Sequence, residues 1–267
     1  MENNHTINTQ ELFLRYFSDR QEFEMLCRDN CHDTYEIIYA LSPLGSCVVE
    51  GGEYILETRT VLFIPPLAYH TYNVRNNTEC KGYSLLFSRT NLTESVLSML
   101  DKIVDKEKEN GKLFSRNFAS DLLLDVFRRF DEANCLPEVE RKAFLSMLAS
   151  EAIIILSAGE GQIISHTEHE LGARVARYLN SKIEKNVSLD KLATRFFVSK
   201  YHLCRAFKKY TGTSVHSYIN HKRIMYAKQL IESGESASLA AERVGFGDYS
   251  AFYRAYVRIV GSAPTKK

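Results

Sequence analysis

The chain contains no tryptophan, five prolines among 267 residues, and no apolar run near the ~20 residues that span a bilayer as a helix. That last absence excludes a helical membrane anchor within this sequence. Its six cysteines (Cys27, Cys31, Cys47, Cys80, Cys135 and Cys204) show no paired spacing such as C-x-x-C, which argues against a cysteine-built metal site. The opening "MENNHTINTQ" lacks both the basic and the apolar parts of a signal peptide. The cysteines are therefore expected to be reduced thiols, several of them buried, in a cytoplasmic protein.

Charge is the next scarcity, but only in sum. The formal net charge is +1, yet residues 1–167 hold 16 Lys+Arg against 25 Asp+Glu, and residues 168–267 hold 18 against 8. A basic excess confined to one hundred residues points to a polyanionic partner, nucleic acid or an anionic surface. With 45% hydrophobic residues, the chain can bury one good core and has enough for two.

The first ninety residues read as short strands over 12–18, 22–27, 35–42, 47–50, 53–57, 60–65 and 81–88. They are β-branched or aromatic and punctuated by turn residues, with Gly51-Gly52 marking a hairpin. Such spacing predicts a closed barrel or jelly roll. From Asn91 the period becomes helical. Leu92, Val96, Met99, Leu100 and Ile103 share one face, a second helix covers 119–134, and a third starts at Pro137. The stretch "GEGQIISHTE" reads as a linker where the charge changes sign. The expected domains are thus 1–90, a β barrel; 91–158, a helical segment for dimerisation; 159–167, a linker; and 168–267, an all-α domain. The fold class is α+β and multidomain.

Two units in the basic part look alike: "SLDKLATRFFVSKYHLCRAFKKYTG" (188–212) and "SASLAAERVGFGDYSAFYRAYVRIVG" (236–261). Each has a short helix with a central alanine, a tight turn, and a second helix with a central arginine. Ser188, Ser199 and Ser238 are the expected helix caps. Small Ala193 and Ala241 let paired helices approach, while Leu203 and Phe207, or Phe252 and Tyr256, bury the second helix on one side. The opposite side is left free to enter a DNA major groove. Segment 168–267 resembles the DNA-binding domain of the AraC/XylS family of bacterial transcription regulators. The residues that carry it are "LATRFFVSKYHLCRAFKKYTGTS", "RIMYAKQLI" and "AERVGFGDYSAFYRAYVRIVGSAP", with Tyr256 where that family usually has Phe.

The resemblance implies two recognition helices on one domain reading double-stranded DNA. The expected base readers are Lys200, Tyr201, Cys204 and Arg205 in the first unit and Tyr249, Ser250, Ala251 and Arg254 in the second. Arg205 suits a bidentate contact with guanine, and Tyr201 a thymine methyl. Ser199, Lys208, Lys209 and Arg223 are expected at phosphates or in the scaffold. In the acidic part, "HDTYEIIYALSPLG" and "TVLFIPPLAYHTYN" are similar to the two half-motifs of the cupin barrel. Only His32, Glu36 and His70 could match the metal ligands of enzymatic cupins, and Leu67 replaces the usual glycine before His70. The expectation is accordingly no metal, no cofactor and no catalytic residue. His32, Glu36, Tyr39, His70 and Tyr72 are instead expected to contact a small-molecule effector.

The leading reading is a sequence-specific transcription regulator, homodimeric, touching RNA polymerase if it activates, and without membrane contact. A regulator whose barrel only dimerises is the alternative, followed by a metal-dependent cupin enzyme fused to a DNA-binding domain.

Overall fold

The computed structural model describes residues 6–9, 12–27, 31–74, 79–104, 111–115, 118, 120–133, 135–161, 171–182 and 187–265. Most of the expected linker therefore lies outside the described residues. The chain folds as two compact units. One comprises Met1–Arg28, Thr34–Ala68 and Tyr72–Ile164, and the other Asp29–Asp33, Tyr69–Thr71 and Ser165–Lys267. Among the described residues no helix is long and apolar enough to cross a membrane.

The amino-terminal part contains β1 (Thr6–Thr9), β2 (Leu12–Phe17), α1 (Arg20–Leu26), β3 (Tyr35–Ala40), β4 (Gly45–Val49), β5 (Gly52–Leu56), β6 (Val61–Ile64), β7 (His70–Val74) and β8 (Gly82–Phe87). There follow α2 (Glu94–Ile103), β9 (Lys112–Phe114), α3 (Ser120–Arg128), α4 (Phe130–Ala133) and α5 (Glu138–Ser157). Six strands form one sheet in the order β1-β2-β8-β3-β6-β9, and three form another in the order β5-β4-β7. Among the described residues this is the two-sheet, jelly-roll alternative.

Every residue of β3 is buried, because it separates two cores. Tyr35, Ile37 and Tyr39 meet the helices, packing with Val96, Leu100, Leu145 and Leu148. Ile38 and Ala40 point the other way, toward Cys47, Val49, Tyr54 and Leu56 of the smaller sheet. The side-chain period of two thus sorts one strand between two environments.

Several details depart from the sequence reading, β1, β7 and β9 among them. The segment 22–27 is helical, not a strand. Asp19 caps α1 by accepting from the Glu22 amide at 2.9 Å, a D-x-x-E start that overrides the apolar alternation of "EFEML". The hairpin turn is Glu50-Gly51 (φ 43° and 85°), since Val49 pairs with Gly52. That places Gly52 in the strand and both turn residues at positive φ, as a two-residue I′ loop requires. Leu67 likewise takes φ 62°, the conformation that the glycine of the cupin pattern would supply.

The carboxy-terminal part is α6 (Leu171–Asn180), α7 (Leu189–Arg195), α8 (Lys200–Thr211), α9 (Val215–Glu232), α10 (Ala237–Arg243) and α11 (Tyr249–Val260). Ser188, Ser199 and Ser214 cap α7, α8 and α9, each hydroxyl accepting an amide hydrogen of the first turn. The cap of α10 is Ser236, not Ser238, and that of α11 is Asp248. At Gly172 the backbone of α6 meets α8 so closely that an added Cβ would lie 2.4 Å from Tyr210 Cβ and 2.7 Å from the Ala206 carbonyl.

The first helix of each pair ends in the same way. In α7 the amide of Phe197 donates to Thr194 O at 3.2 Å and that of Val198 to Ala193 O at 3.0 Å. In α10 Gly245 donates to Glu242 O at 2.9 Å and Phe246 to Ala241 O at 2.9 Å. Both are Schellman turns, whose pivotal residue must be left-handed. Gly245 takes φ 83° freely, whereas Phe197 takes φ 56° with a side chain 94% exposed. The left-handed region costs a side chain roughly 1–2 kcal/mol, and the exposed ring recovers none of it by burial. Phe197→Gly is expected to raise stability by about 0.5–1 kcal/mol and Gly245→Ala to lower it by about 1 kcal/mol. Urea midpoints at an unchanged slope, followed by helical signal, check both signs.

Candidate nucleic-acid interface

α8 forms because its apolar residues recur at helical spacing behind a serine cap. Leu203, Phe207 and Thr211 are buried, and the Phe207 ring meets Tyr218 of α9 edge-on at 5.3 Å. With the inner face so anchored, Tyr201, Arg205, Lys208 and Lys209 are exposed on the opposite side. Lys208 and Lys209 also occupy the last turn, where cations complement the helix dipole. The other sequence candidates sit differently. Lys200 is paired with Asp190 of α7 at 2.7 Å, and Cys204 is half-buried on the flank. The Ser199 hydroxyl accepts from the His202 amide at 3.2 Å, so it serves as the cap. A groove of about 410 Å³ runs beside α8, lined by Leu171, Gly172, His202, Arg205, Lys209 and Tyr210 among others. Lys209 widens the cationic face around Arg205, with His202 beside it.

α11 repeats this register. With Asp248 aligned on Ser199, Phe252 and Tyr256 fall on Leu203 and Phe207, Arg254 on Arg205, and Gly261 on Gly212. Both glycines close their helices at positive φ, 78° and 79°. Phe252 and Tyr256 are buried while Tyr249, Ser250 and Arg254 are exposed. Burial also pushes the Tyr256 hydroxyl up to about 12, so it stays neutral in the core. Ala251 is half-buried, and its amide donates to Asp248 Oδ2 at 2.9 Å. Tyr253, Val257 and Arg258 also lie on the exposed side and were not singled out in the sequence. Counting one turn on from Tyr249 would have found them.

Arg223 requires a correction. It is buried, donates to Gly245 O at 3.3 Å, and lies over the Phe246 ring at 6.0 Å. Burial lowers its pKa. It braces the second turn from α9 and is not presented to a phosphate. On α6 and α7 two cations are held by aromatic faces, Arg174 over Phe196 at 5.5 Å and Arg195 over Tyr178 at 4.4 Å.

In the β-rich part, Glu36 is buried and accepts from Ser84 Oγ at 2.9 Å and from the Tyr72 hydroxyl at 3.4 Å. Burial first, and then the Glu36 charge, push the Tyr72 hydroxyl and the Cys47 thiol well above their usual pKa values. His32 and His70 belong to the other compact unit. Tyr39 does not join Glu36 and Tyr72. It lies on the other face of β3, stacked on Phe127 at 5.7 Å.

Two helix pairs with matching caps, turns and exposed cationic faces define a DNA-binding protein of the double helix-turn-helix class. The chain belongs to the AraC family: residues 15–148 match the AraC-like ligand-binding domain and residues 192–267 a helix-turn-helix domain. It is an AraC-type transcriptional regulator, with a ligand-binding amino-terminal domain and a DNA-binding carboxy-terminal one.

Relatives span it to different extents. It is 24% identical over 241 residues to the transcriptional activator RhaS of Escherichia coli, covering 87% of this chain and 84% of RhaS. It is 31% identical over 93 residues to the probable transcriptional regulator LumQ of Photobacterium leiognathi, covering 34% of this chain but only 38% of LumQ. The solved structure of ToxT from Vibrio cholerae matches 96% of this chain and 94% of its own at 15% identity, with a TM-score of 0.41.

Arg205→Ala is expected to weaken specific DNA binding by ~1–3 kcal/mol and relax preference at one base pair, whereas Lys209→Ala weakens all sequences alike and lowers the salt slope by about one. Site selection followed by salt titration separates the two. An unchanged preference in Arg205→Ala removes it from base readout.

Proposed function

We propose that the protein acts in the cytoplasm as a homodimeric regulator rather than an enzyme. Its base readers are Tyr201 and Arg205 on α8 and Ser250 and Arg254 on α11. The observation that carries this reading is the register shared by the two helices, which turns the same positions outward from one domain. Lys208 and Lys209 are assigned to phosphates. Double-stranded DNA is the partner, with the two helices in major-groove segments about one turn, ~10 bp, apart. Contact with RNA polymerase belongs to the activating form of this role.

Effector sensing is assigned to Glu36 and Tyr72. A buried carboxylate held by two hydroxyls favours a ligand that replaces one of those hydrogen bonds. Tyr39 is withdrawn from this set.

For dimerisation, Val96, Leu100, Leu145 and Leu148 are spent on the chain's own core, and Leu92, Met99 and Ile155 pack against it. The remaining apolar residues on α5 are Val139, Met147 (67% exposed) and Ile154, spaced by eight and seven. Residues at that spacing share one helical face, which supports α5 against a second copy as the dimer contact. At micromolar concentration the wild type is expected to sediment as a dimer and the double variant Met147→Asp/Ile154→Asp is expected to be monomeric. It should lose affinity for paired sites while keeping single-site binding, because a monomer forfeits effective concentration. A monomeric wild type refutes the dimer.

A further inference from the structure

The exposed face of α11 differs in chemistry from that of α8. Along one row, spaced by four residues, stand Tyr249 (45% exposed), Tyr253 (43%) and Val257 (36%). The matching row on α8 is Lys200, Cys204 and Lys208. The second helix thus presents an apolar stripe where the first presents cations and a thiol. The stripe is braced from beneath. Tyr249 lies 5.7 Å from the buried Phe252 and 6.5 Å from Tyr253, and Phe252 lies 5.5 Å from both Phe246 and Tyr256. Beside it run Ser250, Arg254 and Arg258, all exposed, and the helix sequence YSAFYRAYVRIV holds no carboxylate.

We propose that α11 reads its half of the site through thymine methyl groups, with Tyr253 as a specificity-determining residue alongside Arg254. This rests on the reading of α11 as a base-reading helix. Three features select DNA over another apolar partner. The stripe continues the face that carries Arg254 and Arg258, so its occupant is anionic. Its last position, Val257, matches Lys208 of α8, which is assigned to a phosphate. And the major groove presents one apolar group only, the C5 methyl of thymine, which is flush with the base edges that Arg254 reaches. Tyr253 and Val257 supply carbon surface to that methyl, while a tyrosine hydroxyl at the edge of the stripe still finds water or a phosphate. Its counterpart Cys204, half-buried, offers far less surface. The two helices therefore differ in what they recognise: the first a guanine through a guanidinium, the second a thymine-bearing segment through rings.

The test uses the full-length protein and a duplex carrying its selected site, with each thymine replaced in turn by deoxyuracil. That exchange removes only the C5 methyl and leaves base pairing intact. One or two positions, about one DNA turn from the base pair that responds to Arg205→Ala, should each lose about 3–10-fold in affinity, as expected for one buried methyl. Tyr253→Ala should bind thymine and deoxyuracil duplexes equally at those positions, and Tyr253→Phe should restore the difference. Tyr253 is exposed, so these variants leave the core untouched. Specific binding that is indifferent to deoxyuracil at every position overturns the proposal while leaving the helix-turn-helix reading in place. So does a deoxyuracil effect that survives Tyr253→Ala. Absence of any sequence-specific binding by the wild type would instead strike the DNA-binding reading itself.

Discussion

The turns that join the paired helices, closed on the carbonyls of the buried Ala193 and Ala241, are the constraint on which the DNA-facing surface depends. Both alanines are buried, and both lend their carbonyls to the turn that follows. A larger residue at either position would separate the helices and also draw the turn away from its acceptor. The helix after each turn would then rotate, and its arginine would leave the exposed face. Packing and hydrogen bonding meet at one atom group, so the geometry of recognition is determined a full helix away from the DNA.

The carboxy-terminal half was legible because its signals are local. Serine caps, a mid-helix alanine and a glycine after the last turn each specify backbone over a few residues, and the structure places α7, α8 and α9 where those residues predict. Illegible were the features that depend on tertiary surroundings. Arg223 looks like any surface arginine in sequence, and only the fold takes it to the Gly245 carbonyl. Tyr253, by contrast, was within reach of the sequence, one turn on from Tyr249 on the side that Phe252 and Tyr256 leave free. Phe197 stands where a glycine would be sought, so the symmetry of the two turns appears only in their dihedral angles.

The β-rich half was legible as strands but not as faces. Apart from Glu36, β3 is apolar on both faces, so alternation could not say which of Glu36 and Tyr39 faces the smaller sheet. The register Ile38–Ser84 and Tyr39–Tyr83 answers it, putting Glu36 with the polar groups and Tyr39 under the helices. Helix α1 was misread for the opposite reason, since a short amphipathic segment with one buried residue, Phe23, satisfies either period.

Helix α9 spans 18 residues, about 27 Å at the standard rise, and connects to α8 and α10 through only a few residues at either end. It behaves as a ruler of fixed length. Where both helices read DNA as proposed, that DNA must keep its helical phase, because each inserted base pair turns one half-site by roughly a tenth of a revolution relative to the other. Spacing is thereby measured by a rigid rod inside one polypeptide, and a promoter could tune the regulator's grip by length alone, without altering a single contacted base.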